Sequence, residues 1–378
     1  MKIIGIICEY NPFHLGHEKQ IREVRRMFPE GCAVVCLMSG NFVQRGEIAF
    51  ADKHTRAAAA VRHGADLVIQ LPTAHTVAGA SVFAQAGVFC AGALGVETSL
   101  CFGSESEDIS ALLNLARADT DTLSETIKQG VKQGKTFGLA LMDAYRAIDP
   151  VGATLLTSPN NLLAFEYIKA IEHQKSNIRV VNVLRKGTAH DSGLTDGEFA
   201  SASYIRQNGG DRFMPEKIEG QIDKDRFDTL LLYSIISKTP QQLEKFADMT
   251  EGLENRFFEA AKTAKTPDEL FLAVKSKRYT HAKIRRAALS VLLQNPKGLY
   301  KTKVPYLKVL AFNDRGRALL KKISDTCTLP IVTKAADGEA IDKNHFALEC
   351  RATDLFSFCR NDKKPMGLEY THSPVYVK

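Results

Sequence analysis

Lys2-Ile3-Ile4-Gly5-Ile6-Ile7-Cys8 runs directly into Glu9-Tyr10-Asn11-Pro12-Phe13-His14-Leu15-Gly16-His17. The opening run is apolar, short and broken by Glu9. It has one positive charge and no small-residue cleavage site after it, so it reads as a strand and not as a signal peptide. Further apolar strands are expected at 33–38, 66–70, 98–102 and 178–184. They alternate with helices at 16–28, 52–63, 77–96 and 160–172. Strands of this kind separated by helices predict a parallel sheet covered on both faces, hence an α/β, doubly wound, Rossmann-like fold. Such sheets bind ligands at the carboxyl ends of their strands, which points to the loops after Cys8, Met38, Leu71 and Phe102.

The chain has 378 residues, more than one ordinary core needs, and two domains are expected. The first is the sheet domain, 1–215. The second, 216–378, is mainly helical, with helices at 225–232, 240–247, 254–264, 267–275 and 282–293 and a mixed tail from about 304. A net charge of +7 permits a polyanionic partner without requiring one. None of the eight cysteines forms a CxxC pair and most have apolar neighbours. They read as reduced thiols in a cytoplasmic protein, not as a disulfide framework or a zinc knuckle. The 77–96 stretch is long enough to cross a bilayer. It is rich in Ala and Gly, however, and lacks basic flanks and an aromatic belt, so a helix buried against the sheet is expected and no membrane span.

Chemistry concentrates after the first strand. His14 and His17 are three apart, so they share a face once a helix begins. The helix start adds unpaired N–H groups and the positive end of its dipole, and Gly16 removes a side chain where a nucleotide would approach the backbone. Two imidazoles at that point can hydrogen-bond phosphate oxygens that gain charge during attack on an α-phosphate. A zinc pair is the competing reading, but no third and fourth ligand of suitable spacing is visible.

His14-Leu15-Gly16-His17 after a strand resembles the HxGH signature of HIGH-type nucleotidyltransferases. The longer pattern is similar to one family within them, the bacterial tRNA(Met) cytidine acetate ligases. It comprises Glu9 to His14, Ser39-Gly40-Asn41-Phe42-Val43-Gln44-Arg45-Gly46-Glu47, Phe102-Gly103-Ser104-Glu105, Ser158-Pro159-Asn160-Asn161, Glu251-Gly252-Leu253-Glu254-Asn255-Arg256 and Ser276-Lys277-Arg278-Tyr279-Thr280. The resemblance implies an ATP-dependent ligase that makes acetyl-adenylate from acetate and acetylates N4 of the wobble cytidine of elongator tRNA(Met). It also implies an ATP site made of Ile7, Cys8, Glu9, Tyr10, Asn11, Pro12, Phe13, His14, Leu15, Gly16, His17, Glu18, Lys19 and Gln20, with Gly103, Asn160, Arg185 and Lys186. The catalytic pair is His14 and His17. One departure from the family pattern is Ala189, which stands before His190-Asp191 where an aromatic is usual.

The residues themselves leave some roles open. Gly103 follows the fourth strand, as either a point of close ligand approach or a turn glycine. Asn160-Asn161 open a helix after Ser158-Pro159; capping explains one asparagine and leaves the other for ligand. Arg185 and Lys186 end the fifth strand, on phosphate or in solvent. Gln44 and Arg45 lie in a glycine-bracketed loop, a lid that could hold the acid's carboxylate or a plain surface turn. The segment 200–206 loosely resembles a triphosphate-contacting motif ending in Ile205-Arg206. Gly130 to Thr136 imitates a Walker A loop but is one residue short and follows a helical segment, and His190-Asp191 has no nucleophile motif to complete a triad.

The segment 275–286 has six Lys/Arg and no acid. Lys275, Lys277, Arg278, Lys283, Arg285 and Arg286 can contact phosphates, and Tyr279 can stack on an unpaired base. The bland alternative is a solvated helix face; beside an adenylating site, RNA is the preferred partner. Mg²⁺ is expected with the triphosphate on chemical grounds and not from protein ligands. Two other functions share parts of this pattern: an adenylyltransferase for a small phosphorylated metabolite, and a non-catalytic RNA-binding protein.

Overall fold

The computed structural model describes residues 2–118, 120–135, 137–185 and 199–378. Strands β1 (Lys2–Cys8), β2 (Cys32–Ser39), β5 (Leu67–Leu71), β6 (Thr98–Ser104) and β7 (Arg179–Leu184) form the parallel part of one sheet. Between β2 and β5 lies a short antiparallel hairpin of β3 (Phe42–Val43) and β4 (Glu47–Ile48). With β8 (Leu307–Phe312), β9 (Ile331–Val332) and β10 (Val375–Tyr376) from the end of the chain, the main sheet runs β10-β8-β5-β2-β1-β6-β7, and β9 lies beside β8.

Alternation along each strand divides the core. Ile4 and Ile6 of β1, with Val34 and Cys36 of β2, face the Leu15–Met27 and Lys53–Arg62 helices through Ile21, Val24, Ala57 and Ala59. Ile3 and Ile7, with Val35 and Leu37, face the Ala80–Ala93 and Pro159–His173 helices through Ala84, Val88, Phe165 and Ile168. β2 is buried throughout, which explains its unbroken apolar sequence. The Ala/Gly-rich stretch is a buried helix: a Cβ on Gly87 would come within 2.4 Å of Ile7 Cδ1, so only glycine lets the helix lie this close to β1. No helix among the described residues is long and apolar enough to cross a membrane.

Beyond 215, the helices Lys224–Ile236, Leu253–Ala261, Pro267–Val274 and His281–Leu292 build a third core. That core also takes in Phe42 of the β3–β4 hairpin and Leu348 of the Lys343–Cys359 helix. The tail contains an element that the fading strand signal did not reveal. β8 (Leu307–Phe312) joins the sheet antiparallel beside β5, and β10 (Val375–Tyr376) pairs parallel with β8. The tail is tied down by charge. Glu369, 2% exposed, accepts hydrogen bonds from Lys53, Lys308 and Thr353 Oγ1 (2.5 Å). Burial pushes the Glu369 pKa up, but the two ammonium groups outweigh it and hold the carboxyl well below its usual range.

Candidate active site

The turn after β1 is set by aromatic anchors. Tyr10, at φ +48°, and Phe13 are buried, which leaves His14 as the N-cap of the Leu15–Met27 helix. His14 Nδ1 accepts from the Gly16 N–H (3.1 Å), and His17 Nδ1 accepts from the His14 N–H (3.3 Å). This is a reciprocal capping box in which both side chains are imidazoles. With each Nδ1 accepting, the proton of each neutral ring belongs on Nε2, which makes two N–H donors. The rings stack with centroids 3.6 Å apart and 26° between planes. His17 lines an adjoining cleft; His14, 5% exposed, lies stacked against it. A Cβ on Gly16 would come within 3.0 Å of His14 Cε1, so the glycine makes room for the imidazole, and it does not itself line the cleft.

The cleft has a volume of about 380 Å³ and opens at the carboxyl ends of β1 and β6, beside the β3–β4 hairpin. Ile7, Cys8, Glu9, Tyr10, Asn11, His17 and Gln20 line it from the first turn, Gln44, Arg45 and Glu47 from the hairpin, and Gly103, Asn160, Arg185, Ser203 and Arg206 from later segments. Most of the expected residues therefore meet, and seven others, His14 among them, do not line the cleft. Pro12, Phe13, Leu15 and Gly16 shape the turn without lining the cleft. Glu18 faces His63 (3.3 Å), and the Lys19 ammonium lies over the Phe199 ring (4.6 Å). Lys186 and the Ala189-His190-Asp191 segment lie outside the described residues.

Three residues organise the site without having been expected in it: Arg56 lies outside every quoted motif, while Glu105 and Glu47 each close one. Arg56 is fully buried and donates to the carbonyls of Ala51 (2.9 Å), Glu9 and Gly40, tying the loops after β1 and β2 together; burial lowers its pKa to about 10. The Glu105 carboxylate accepts from Ser158 Oγ (2.5 Å), Asn160 Nδ2 and the Asn161 N–H (3.2 Å), while Asn161 Oδ1 accepts from the Glu105 N–H (2.9 Å). Ser158 thus gives its hydroxyl to Glu105 and does not cap its helix, and both asparagines are engaged with Glu105. Burial raises the Glu105 pKa, but these hydrogen bonds bring it net below the usual value. Glu47 is held between Arg285 (2.8 Å) and Arg206 (3.4 Å).

The cleft combines apolar and ionic surface. Phe83, Phe102, Leu162, Leu163 and Tyr167 offer a surface suited to a purine ring, while Arg45, Arg185 and Arg206 supply positive charge. A Cβ on Gly103 would come within 2.9 Å of Arg185 Cγ, so this glycine lets the arginine stem cross the end of β6. Burial lowers the Arg185 pKa, opposed by Glu105. Glu9 is raised by burial, against the Gln44 N–H (2.6 Å) and the charge of Arg206.

The basic segment is less open than its sequence implies. Tyr279 is 3% exposed and its hydroxyl donates to the Glu251 carbonyl (2.6 Å), so its ring belongs to the helical core and is not placed to stack on a base. Arg286, 7% exposed, pairs with Asp248 (2.7 Å), Lys283 with Glu251 (3.2 Å) and Arg285 with Glu47. Lys275 donates to the Tyr279 carbonyl (2.6 Å). Only Lys277 and Arg278 of this set are exposed. Acids distant in sequence compensate a run that contains none of its own.

All eight cysteines are free thiols. Among the described residues, no cluster of three or more His, Cys, Asp or Glu is placed to hold a metal ion.

Comparison with known proteins places this geometry. The family described as HIGH Nucleotidyl Transferase matches residues 1–370. The tRNA(Met) cytidine acetate ligase of Clostridium perfringens is 34% identical, with 100% of both chains covered. The chain belongs to the tRNA(Met) cytidine acetate ligase family. The ligase of Thermoanaerobacter sp. (strain X514) is 33% identical, over 98% of this chain and 99% of its own. Among solved structures, apo Thermotoga maritima TmcAL superimposes with a TM-score of 0.93 at 29% identity, over 100% of each chain. The same protein bound with alpha-thio ATP gives 0.89 at 28% identity, again over 100% of each chain. The mostly parallel HIGH-type sheet with its helical companion is thus the family's fold, and a relative of the same fold binds an ATP analogue.

Proposed function

We propose that the chain activates acetate with ATP and transfers the acetyl group to N4 of the wobble cytidine of elongator tRNA(Met). The observation that carries this is the stacked His14–His17 pair at a helix start, with His17 lining the cleft that Gly103, Asn160, Arg185 and Arg45 also line. An acetate oxygen attacks the α-phosphorus of ATP, pyrophosphate leaves, and acetyl-adenylate forms. The cytidine N4 lone pair then attacks the acetyl carbonyl; AMP leaves and N4 gives up a proton. In the first step the Nε2–H donors of the two histidines, with the dipole of the Leu15–Met27 helix, stabilise charge developing on the phosphate oxygens. Arg45 is the candidate for the acetate carboxylate, and Arg185 and Arg206 for the triphosphate. Mg²⁺ would come with the triphosphate and neutralise its charge, held by phosphate oxygens and not by a protein ligand set. Lys277 and Arg278 are the exposed basic residues best disposed for RNA phosphates. The work belongs in the cytoplasm, where tRNA and reduced thiols are found together.

Pyrophosphate release measured across a panel of short carboxylic acids, with and without tRNA, tests the reading. Acetate-dependent release, with label from acetate recovered in tRNA cytidine, is expected. Release with a phosphorylated metabolite and none with acetate would replace this reading by a metabolite adenylyltransferase.

A further inference from the structure

A second cavity lies one wall away from the cleft. It has a volume of about 420 Å³, within the range of small-molecule sites. It is bounded by the β3–β4 hairpin, the segment around Gly220, and the Lys224–Ile236 and Pro267–Val274 helices. Glu47 and Arg206 line both cavities. We propose that this second cavity receives an unstacked base of the RNA, next to the nucleotide whose amine is acetylated. The inference rests on the acetate-ligase reading and adds to it a place where the RNA strand is gripped.

The chemistry of the walls favours a nucleobase. Phe50, Phe227 and Phe271 provide ring surface, and stacking on aromatic side chains is how single-stranded RNA bases are held. A Cβ on Gly220 would come within 2.8 Å of the Phe50 ring, so the glycine lets that ring lie against the linker. Asp268, exposed on the first turn of its helix, supplies an acceptor for an exocyclic amine. Arg285, which bonds Glu47, and Lys224, which pairs with Asp228, edge the apolar surface with polar groups whose charges are balanced within the wall. A purely apolar metabolite would have little use for that polar edge, whereas a base presents a flat ring face with hydrogen-bonding groups at its rim.

Position adds a second argument. N4 of a cytidine stacked in a loop cannot reach an adenylate at the bottom of a cleft, so the nucleotide must be drawn out, and its neighbour loses a stacking partner. The Glu47–Arg206 wall is the divider over which a strand would pass from one cavity to the other. Lys277 and Arg278 are exposed just beyond the Pro267–Val274 helix, whose first turn borders the cavity.

The test uses the full chain with Asp268→Trp, which fills the mouth from an exposed position, and Asp268→Asn as the conservative control. Acetate-dependent ATP–pyrophosphate exchange without RNA reads adenylate formation, which needs none of the residues unique to the second cavity. Asp268→Trp is expected to leave exchange within about two-fold and to lower kcat/KM for elongator tRNA(Met) by about ten-fold or more, the worth of one stacked base. Unchanged tRNA kinetics would overturn the inference, and so would an equal fall in exchange and transfer. In a second measurement on the unaltered protein, tRNA carrying 5-iodouridine in its anticodon loop should photocrosslink to peptides containing Phe227 or Phe271. Crosslinks confined to other regions would overturn it. Absence of exchange in the unaltered protein would instead reject the acetate-ligase reading, and this inference with it.

Discussion

The turn after β1 and the 275–286 segment are both short stretches dense in nitrogen, and they behave in opposite ways. In the turn, the capping box closes within three residues: His14 receives the Gly16 N–H, and His17 receives the His14 N–H. In the basic segment the acidic partners of Lys283, Arg286 and Arg285 are Glu251, Asp248 and Glu47, at least 32 positions away. A motif closed by the local backbone keeps its meaning when read as sequence. A charge run does not, because the opposing charge can arrive from anywhere in the fold.

The largest test of this contrast is at the turn. His17→Ala should lower acetate-dependent pyrophosphate exchange by roughly 10²–10³-fold, as losing one donor to a charged transition state does. Its stability should fall by no more than about 1 kcal/mol, the worth of one capping bond. Full exchange activity in this variant would remove the catalytic reading of the pair.

Arg286→Ala comes next and should act on the fold. It leaves Asp248, about one-fifth exposed, without its partner. Breaking a fully buried pair costs more, so partial solvation brings the expected loss to roughly 2 kcal/mol, read by urea denaturation. The KM for tRNA of the folded protein should not move. A raised KM with unchanged stability would return Arg286 to the RNA-contacting set.

The same contrast governs what could be read beforehand. β1, β2, β5, β6 and β7 announce themselves because a strand buried on both faces must be apolar throughout, and the motif places the cleft at their carboxyl ends. β8 does not, because Lys308 interrupts it, and that lysine is acceptable only because Glu369 lies opposite. Glu105 closes one quoted motif and Asn160, 55 positions on, belongs to another, but only the fold shows that the second donates to the first. Arg56 stands between Thr55 and a run of four alanines, where an arginine reads as a solvated helix position, yet it is fully buried and knots two loops. Gly46, at φ +79°, shows the same limit. A Cβ there would come within 2.5 Å of the Arg286 backbone nitrogen, which turns a loop glycine into the contact between hairpin and helical core.

A smaller effect belongs to the exposed remainder of the basic segment. Lys277→Ala with Arg278→Ala should raise the KM for tRNA by about ten-fold at moderate salt and reduce the slope of log affinity against log salt by up to about two. Adenylate formation should be untouched. An unchanged salt slope would show that RNA approaches over another face.

The smallest expected change distinguishes the two views of Tyr279. Tyr279→Phe keeps the ring and removes only the hydroxyl that donates to the Glu251 carbonyl (2.6 Å). Glu251 has φ +62° and its carboxylate also holds Lys283, so the lost bond loosens a turn that the basic segment leans on. A cost of about 1 kcal/mol in urea denaturation follows, with tRNA kinetics unchanged. A tyrosine whose face served RNA would have an open ring and a solvated hydroxyl, and removing that hydroxyl would leave stability where it was. Stability is therefore the deciding readout, because phenylalanine would stack as well as tyrosine and kinetics alone could not separate a core residue from a contact.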